Sequence, residues 1–401
     1  MDGADASSAR PTILCAAFSA RQIAESARLS GFDALAVDFF ADLDLRASAR
    51  RSELVTGAYP DGFSDTDLIA ALERVSEGET PIGFVYGAGF EDRPELLDEI
   101  ARRWPVLGTS AEASRRLKDP FWFARICERA GVAFPQIAPA APSDDDLWLI
   151  KRVGGCGGSH VRWANRVRAA GGSGDRFYAQ RFVEGERWSL LALAADGMTR
   201  SLGFSHQWTD PSEDEPFRYA GAVGPLDPPP PIVKSMVDAL GRLVAAAHDD
   251  GTTLTGLLSA DFVEANGLVH CLEINARFGA TVDVFDRPEA PLLKLHLDAC
   301  EGRLPQTLAP YPAGCRAAGL AWADVDLDFG TDHVWPHWTR DRSHLPRHYE
   351  AAEPIATVVA EGRTAKEARE RFEAHVESLK ASSISNNAVG TANRVPSPAM
   401  P

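Results

Sequence analysis

The stretch "HCLEINARFGAT" carries three polar side chains in a pattern that suits a ligand site. We interpret it as a β-strand, in which every second side chain points to the same face. That face holds Glu273, Asn275 and Arg277. Carboxylate and amide oxygens suit Mg²⁺, and an arginine can bind a carboxylate or phosphate through two parallel hydrogen bonds. The competing interpretation is a solvent-facing strand with a surface ion pair, and the motif is too short to decide.

A third oxygen ligand depends on the turn of the hairpin that leads into this strand. "LLSADFVEANGLVHCLEINARF" predicts two antiparallel strands joined at "ANG". A three-residue turn, with Gly267 in a left-handed conformation, sets Asp261 opposite Cys271 and on the face of Glu273 and Asn275. A two-residue turn at "NG" sets Asp261 on the other face. The sequence leaves both turns open, and the oxygen set for Mg²⁺ includes Asp261 on condition of the three-residue turn.

A glycine-rich segment, "IKRVGGCGGSHV", is a second candidate site. Lys151 ends an apolar strand, and glycines let the following backbone approach a phosphate closely. The segment is not a Walker A loop, because its lysine precedes the glycines and no GKS or GKT follows. A flexible surface hairpin is the competing interpretation. Its candidate phosphate-binding residues are Lys151, Gly155, Gly157, Gly158 and Ser159.

Two further stretches are weak signals by themselves. "AQRFVEGERWS" joins two strand-like runs, and a short apolar connection with free backbone groups can accept the edge of an adenine. Lys118, in "RLKDPFWFARICERAG", is alone only a surface lysine before a helix.

The elements around these stretches divide the chain into two patterns. The strands "PTILCAAF", "FDALAVDFF" and "PIGFVYGAG" alternate with helices, which predicts a parallel α/β unit. Its first loop lacks GxGxxG, so dinucleotide binding is disfavoured there. From "LWLIKR" onward, short strands separated by glycine-rich turns predict antiparallel sheet.

Composition limits the kinds of protein this chain can be. With 45% hydrophobic and 24% charged residues over 401 positions, it has the profile of a globular protein of several domains. A net charge of −16 disfavours a nucleic-acid binder. We expect no membrane span, no signal peptide, reduced cysteines and a cytoplasmic location, because no apolar run is long enough and the six cysteines form no CxxC pair.

The order of the weak motifs is more specific than any one of them. Lys118, Lys151 with its glycines, "QRFVEG", "SADFVE" and "LEINAR" follow one another in a way that resembles the ATP-grasp superfamily. The resemblance implies an α/β fold in which a parallel N-terminal domain precedes two lobes that clasp ATP, with a small C-terminal α/β region. The implied boundaries are a disordered lead (1–10), the N-terminal domain (11–108), the small lobe (109–178), the large lobe (179–303), the C-terminal region (304–380) and a disordered tail (381–401).

The resemblance also implies a role for each matching residue. Lys118 and Lys151 would contact ATP phosphates, and the glycine-rich loop would close over them. Arg277 and Lys151 would be the catalytic cations, with Arg277 on the reacting carboxylate or acyl phosphate. The implied metal ligands are Asp261, Glu273 and Asn275. The implied ATP-binding residues are Lys118, Lys151, Gly155, Gly157, Gly158, Ser159, Gln180, Arg181, Phe182, Val183 and Glu186.

Three positions depart from the superfamily pattern. Ala276 replaces a proline, which the fold should tolerate. Arg187 stands where a glutamate often contacts ribose, so Glu184 or Glu186 would have to replace that contact. Ser259 stands where many members carry an arginine, which leaves more of the charge stabilisation to Arg277.

The function implied is an ADP-forming carboxylate–amine ligase that uses ATP and Mg²⁺, with Mn²⁺ as a substitute. The N-terminal segment and "QRFVEG" look like the carboligase branch that includes tyramine–glutamate ligase. That branch implies joining glutamate or another amino acid to an amine in biosynthesis of a one-carbon cofactor of the methanofuran or methylofuran type. The partners are small molecules, with a homodimer as one option for the assembly. The alternatives are an ATP-grasp kinase or carboxylase-like enzyme, and an inactive nucleotide-binding protein, which Arg187 and Ser259 favour.

Overall fold

The computed structural model describes residues 10–59, 61–142, 147–170 and 176–383. Of the predicted disordered lead, 1–9 lie outside the described residues, as do 384–401 of the predicted tail. The last helix continues to Ala381, one residue into that tail. Within the described ranges, no helix has the length and apolarity needed to cross a bilayer.

The N-terminal domain is built on a four-stranded parallel sheet in the order β3-β2-β1-β6. Every residue of its first strand is buried, because helices cover both faces of a parallel sheet. The parallel α/β unit predicted from the sequence is therefore confirmed. Its elements are β1 (Thr12–Ala16), α1 (Arg21–Leu29), β2 (Asp33–Asp38), α2 (Leu43–Ser48), β3 (Arg51–Leu54), β4 (Gly57–Ala58), β5 (Gly62–Phe63), α3 (Asp65–Val75), β6 (Phe84–Tyr86) and α4 (Pro94–Ala101).

Two helices and a small antiparallel sheet follow. Asp119 accepts hydrogen bonds from the first backbone N–H groups of the second helix, and Pro120 begins that helix, so Lys118 is held at a sharp corner between the two helices. The sheet has the order β7-β10-β8-β9. The elements are α5 (Ala111–Lys118), α6 (Pro120–Arg129), β7 (Ile137–Ala138), β8 (Trp148–Arg152), β9 (Arg162–Trp163), α7 (Ala164–Ala170) and β10 (Phe177–Arg181).

A large antiparallel sheet carries the rest of the chain, in the order β15-β14-β11-β12-β13-β16-β20-β18. The predicted C-terminal region supplies the last three of these strands, so it extends the sheet of the large lobe, and β17 pairs with β19 beside it. The elements are β11 (Glu186–Ala195), β12 (Met198–Thr209), β13 (Tyr219–Leu226), α8 (Pro230–Asp249), β14 (Gly256–Ala265), β15 (Leu268–Asn275), α9 (Val282–Phe285), α10 (Leu292–Cys300), β16 (Cys315–Trp322), β17 (Leu327–Phe329), β18 (Thr339–Arg340), β19 (Arg347–Tyr349), β20 (Pro354–Gly362) and α11 (Ala365–Ala381).

The central strand β11 explains how this sheet joins the N-terminal domain. Its run "LLALAA" is buried throughout, because both faces of the strand are covered. Leu191 and Leu193 pack into one core with Ile13 and Ile23 of the N-terminal domain. Leu190 lies on the opposite face, in a core with the helices α6 and α8. The N-terminal domain and the large lobe therefore share a hydrophobic core, which fixes the position of each relative to the other.

A buried charge network ties the same domain to the C-terminal strands. The Arg21 side chain is fully buried and donates hydrogen bonds to both oxygens of Asp283 at 2.7 and 2.8 Å. It also donates to Asp341 at 2.8 and 3.0 Å and to Glu25 at 3.0 Å. One cation thus faces three carboxylates, and Asp42 lies close enough to Asp341 for their charges to interact.

Asp42 is expected to make the protein less stable as the pH rises. One oxygen caps α2, whereas the other, also buried, has no hydrogen-bond partner among the described residues. Burial, then the charges of Asp341 and Asp38, raise its pKa to about 8, with Arg21 opposing. Because the unfolded value is about 4, the folded state holds an extra proton between these two values. The stability gained below about pH 4 is therefore lost as the pH rises through about 8.

The variant Asp42→Asn removes this titration and keeps an oxygen to cap the helix. We expect its free energy of unfolding at pH 9, relative to wild type, to exceed the same difference at pH 5 by about 1–2 kcal/mol. Urea denaturation at both pH values measures this, with the exposed Glu95→Gln as the control. Equal pH slopes for wild type and Asp42→Asn would contradict the expected role of Asp42.

Candidate active site

The hairpin that carries the acidic residues turns in two residues. Ala265 pairs with Leu268, and both Asn266 (φ 53°) and Gly267 (φ 79°) adopt positive φ values. An Asn-Gly pair tolerates this conformation well, and it matches the twist of antiparallel strands. The three-residue turn, which was the condition for the predicted place of Asp261, is therefore wrong.

A β-bulge nevertheless places Asp261 on the expected face. Asp261 pairs with Glu273, whereas the next residue along β14 pairs with Cys271, so Leu272 is the extra residue of the bulge. The predicted pairing of Asp261 with Cys271 is thus also wrong. The bulge reverses the change of face that the short turn causes, and Asp261, Glu273 and Asn275 share one face of the sheet.

These three side chains form a contiguous set of oxygen atoms. Asn275 donates from Nδ2 to Oε1 of Glu273 at 3.1 Å and accepts at Oδ1 from the Lys118 ammonium at 2.6 Å. Asp261 accepts a hydrogen bond from Nε2 of Gln207 at 3.1 Å. Lys118 thus lies against the oxygen set, although it comes from the corner between α5 and α6.

The charges of the set suit a divalent cation. Burial, and then the neighbouring charge of Glu273, raise the pKa of Asp261 to about 7. Burial opposes ionisation of Glu273, but Lys118 and Lys151 outweigh it and lower the pKa to about 2. No group of three His, Cys, Asp or Glu in the described ranges could hold a metal by itself. Two carboxylates and an amide fit Mg²⁺ that takes further ligands from phosphates, since a cation would offset their mutual repulsion.

The glycine-rich segment folds back over a cavity that also contains the lysines. Lys118, Lys151, Gly155, His160 and Glu273 line this cavity. A side chain at Gly155 would collide with the His160 ring, at 2.4 Å. The segment is anchored on its outer side, since Gly157 accepts a hydrogen bond from the Tyr219 backbone at 2.9 Å. Gly157 is exposed, and the Ser159 carbonyl accepts from Arg162.

The predicted adenine linker lines a second, adjacent cleft, between the small and large lobes. Gln180 is buried and accepts a hydrogen bond from Lys151 at 3.2 Å, while its amide nitrogen has no partner among the described residues. Glu186, at the start of β11, lies 3.3 Å from the His206 ring. Residues of the linker and its surroundings that line the cleft are Phe134, Gln136, Arg181, Phe182, Val183, Glu184 and His270.

Arg277 lies just beyond the oxygen set and contacts the N-terminal domain. Its Nε donates a hydrogen bond to one oxygen of Glu91 at 2.7 Å, and its Nη2 forms an ion pair with the same oxygen at 2.6 Å. Both side chains are nearly inaccessible, with exposed fractions of 10% for Arg277 and 5% for Glu91. The guanidinium is therefore fixed by a residue from the loop that follows β6.

Comparison with known protein families gives one match that bears on this geometry. Residues 118–281 match the family described as "ATP-grasp domain". The matched segment begins at Lys118 and includes the glycine-rich loop, the linker and the oxygen set. The chain contains an ATP-grasp domain. The superfamily, the fold class and the use of ATP with Mg²⁺ predicted from the sequence are confirmed.

Relatives of this chain include ligases that form C–N bonds. It is 26% identical to phosphoribosylamine–glycine ligase from Caulobacter vibrioides over 69% of this chain and 75% of the relative. Among solved structures, the same kind of ligase from Thermotoga maritima superposes with a TM-score of 0.65 at 14% identity, covering 91% of this chain and 96% of the other. The L-amino acid ligase from Bacillus licheniformis gives 0.65 at 14% identity, covering 94% and 100%. The predicted reaction class, an ADP-forming ligase that makes a C–N bond, is therefore confirmed.

Sequence reasoning missed three residues of the ATP-grasp cleft. Tyr178 and His160 line the cavity with the lysines, and burial followed by the charge of Lys151 lowers the pKa of His160 to about 4. Glu91 pairs with Arg277. A signal for Glu91 was present, since "GFED" follows the third parallel strand, and ligands of open α/β sheets bind beyond the carboxyl ends of the strands.

The glycine-rich loop of the ATP-grasp domain is expected to lose its position when Gly158 gains a side chain. A Cβ there would lie 2.0 Å from the Phe217 carbonyl oxygen, at a φ of +74°. Gly158→Ala must therefore move the loop away from the segment before β13. We expect kcat for ADP release to fall by about tenfold or more, because a small misplacement of a substrate-positioning loop is costly.

Gly157→Ala is the matched control for this substitution. Gly157 has a similar φ of +69°, but its added Cβ would meet no atom within 4 Å. The two variants share the backbone strain, and only Gly158→Ala introduces a collision. Limited proteolysis of the loop and steady-state ADP release distinguish them, and equal losses in both variants would contradict the importance of the Phe217 contact.

Proposed function

We propose that this chain joins the carboxylate of an amino acid to an amine through an acyl phosphate, with ATP as the phosphoryl donor. The observation that carries the proposal is a local gathering of cations in a protein of net charge −16: Lys118 and Lys151 line one cavity with Glu273, and the charge of Arg277 acts on both Asp261 and Glu273. Such a local gathering of cations suits the transfer of a phosphoryl group between anionic reactants.

The residues divide the chemistry between two ends of the cleft. The linker after Gln180 holds adenine, and the glycine-rich loop with Lys118 and Lys151 surrounds the phosphates. Asp261, Glu273 and Asn275 would hold Mg²⁺, which would neutralise part of the phosphate charge. Arg277 binds the carboxylate to be activated, since its guanidinium lies just beyond that oxygen set.

Two steps complete the reaction. A carboxylate oxygen attacks the γ-phosphorus of ATP, and the bond to the bridging oxygen breaks, which releases ADP. The amine nitrogen then attacks the acyl carbon, inorganic phosphate leaves with the bonding pair, and the nitrogen loses a proton. The protein's cations stabilise the charge that develops in both steps, and the closed loop keeps water from the acyl phosphate.

An amino acid is the proposed acid because two kinds of relatives carry amino acids in their names, a glycine ligase and an L-amino acid ligase. Glutamate, and a role in the assembly of a one-carbon cofactor, rest on the resemblance of the N-terminal segment and linker to a carboligase branch. The cytoplasmic location and the homodimer stay predictions from the sequence.

The test is ADP release in the presence of Mg²⁺ with each amino acid in turn, using hydroxylamine as a small amine that traps acyl phosphates. We expect one or a few acids, with glutamate and glycine tested first, to stimulate ADP release and to give hydroxamate in equal amount. ADP formed without hydroxamate would support a kinase or carboxylase-like reaction instead.

An inactive nucleotide-binding protein is the second candidate function. Ser259 pairs with Asn275 across the sheet, so no arginine stands beside the oxygen set at that position. Arg187 stacks 5.6 Å from the Phe217 ring and offers no carboxylate to a ribose, whereas Glu184 lines the linker cleft. Nucleotide binding without ADP release under any acid would favour this candidate.

A further inference from the structure

Both carboxylate oxygens of Glu91 are held by hydrogen bonds. One of its carboxylate oxygens accepts a hydrogen bond from Nε of Arg277 and forms an ion pair with Nη2. The other accepts from the backbone N–H groups of Gly89 at 2.7 Å and Phe90 at 3.1 Å. Burial opposes its charge, but Arg277 and then Lys118 outweigh that effect and lower its pKa, so the carboxylate is ionised. Three hydrogen bonds and one ion-pair contact on its two oxygens hold the side chain in place.

The hydrogen bonds of Arg277 leave some of its N–H donors for a ligand. An arginine has five N–H donors, and Glu91 accepts the one from Nε and forms an ion pair with Nη2. A third, from Nη1, goes to the Phe278 carbonyl at 3.2 Å. Each terminal nitrogen carries two hydrogens, so donors remain on both of them to bind a carboxylate or phosphate.

The same loop also touches the glycine-rich segment. A Cβ at Gly154 would lie 2.7 Å from the Glu91 carbonyl oxygen and 2.6 Å from Cα of Asp92, so only glycine permits this approach. Gly154 has a φ of +71°, which also favours glycine. The loop after β6 thus contacts Arg277 through a side chain and the base of the glycine-rich segment through its backbone.

We propose that Glu91 is a positioning residue that orients the Arg277 guanidinium toward the reacting carboxylate. Because the backbone at Glu91 also lies against Gly154, the same loop sets the position of Arg277 relative to the glycine-rich loop. The inference rests on the proposed function and adds to it a residue of the N-terminal domain. A different role, in which Glu91 occupies the place of the substrate carboxylate and is displaced by it, conflicts with the two backbone N–H groups that hold its second oxygen.

A double-mutant cycle tests the proposal, since a residue that acts through Arg277 must lose its effect when Arg277 is absent. We expect Glu91→Gln to lower kcat for acid-dependent ADP release by on the order of 100-fold, with KM for ATP changed less than about twofold. In an Arg277→Ala background the same substitution should change kcat by less than about twofold. The exposed Glu95→Gln, in the next helix, should match wild type.

Three outcomes would overturn the proposal: an unchanged kcat in Glu91→Gln, an equal loss in both backgrounds, or a lower KM for the acid, which indicates a displaced carboxylate. If wild type shows no acid-dependent ADP release, the proposed function fails, and a structural experiment tests the positioning role instead. A crystal structure of Glu91→Gln should then show the guanidinium rotated from its place, and an unmoved Arg277 would overturn the positioning role.

Discussion

Replacing Glu273 by glutamine is expected to lower acid-dependent ADP release by on the order of 10²- to 10³-fold, with nucleotide binding retained. Glutamine keeps the size of the side chain and can still accept from Asn275. It removes the charge that faces Lys118 at 3.9 Å and that interacts with Lys151. Without that charge the oxygen set would hold Mg²⁺ weakly. The positive charges of Lys118 and Lys151 would also lose the carboxylate that offsets them when no phosphate is bound.

Steady-state ADP release over a series of Mg²⁺ concentrations measures this effect, and binding of a fluorescent ATP analogue reports on the nucleotide site. We expect Glu273→Gln to need more Mg²⁺ for its residual rate. Glu264→Gln is the control, because Glu264 lies on the same hairpin and accepts instead from the Gly267 backbone at 2.7 Å. A wild-type rate in Glu273→Gln would remove Glu273 from the proposed metal site.

Replacing Arg277 by alanine is expected to damage both stability and activity, for separate reasons. The substitution leaves the Glu91 carboxylate buried without its cation, and breaking a buried ion pair on one side typically costs about 3 kcal/mol or more. It also removes the proposed contact to the reacting carboxylate, which should lower kcat by on the order of 100-fold.

The double variant Arg277→Ala with Glu91→Gln separates the two effects. A neutral side chain at position 91 no longer carries an unpaired charge, so we expect most of the lost stability to return while activity stays low. Urea denaturation and ADP release on the same preparations provide the two measurements. A single Arg277→Ala variant as stable as wild type would show that water reaches Glu91 in its place.

Local patterns were enough for the segments whose structure depends on near neighbours. The buried run "TILCA" becomes β1, and "SADFVE" and "LEINAR" become the paired strands β14 and β15. Lys151 is the second-last residue of β8, and Gly154, Gly157 and Gly158 after it take positive φ values, as their residue type favours. The order of these motifs also predicted the ATP-grasp fold, because order along the chain survives where individual motifs are short.

The register of the metal-site hairpin shows where local patterns fail. "ANG" is compatible with two turn lengths, and the sequence carries no signal for the bulge at Leu272. The two-residue turn and the bulge have opposite effects on the face that Asp261 occupies. Asp261 therefore lies on the predicted face for a reason that we did not predict. Bulges are selected by how the whole strand packs against β11 and the small lobe, and a hairpin sequence alone does not contain that packing.

The sequence by itself determined the types of the elements, the cations and carboxylates available for chemistry, and the superfamily. Only the tertiary structure decided which of them meet. Glu91 and Arg277 are 186 residues apart, and the strands β16, β18 and β20 extend the sheet of the large lobe. Both facts depend on a core shared between domains, since burial against distant residues, not local propensity, selects such pairings.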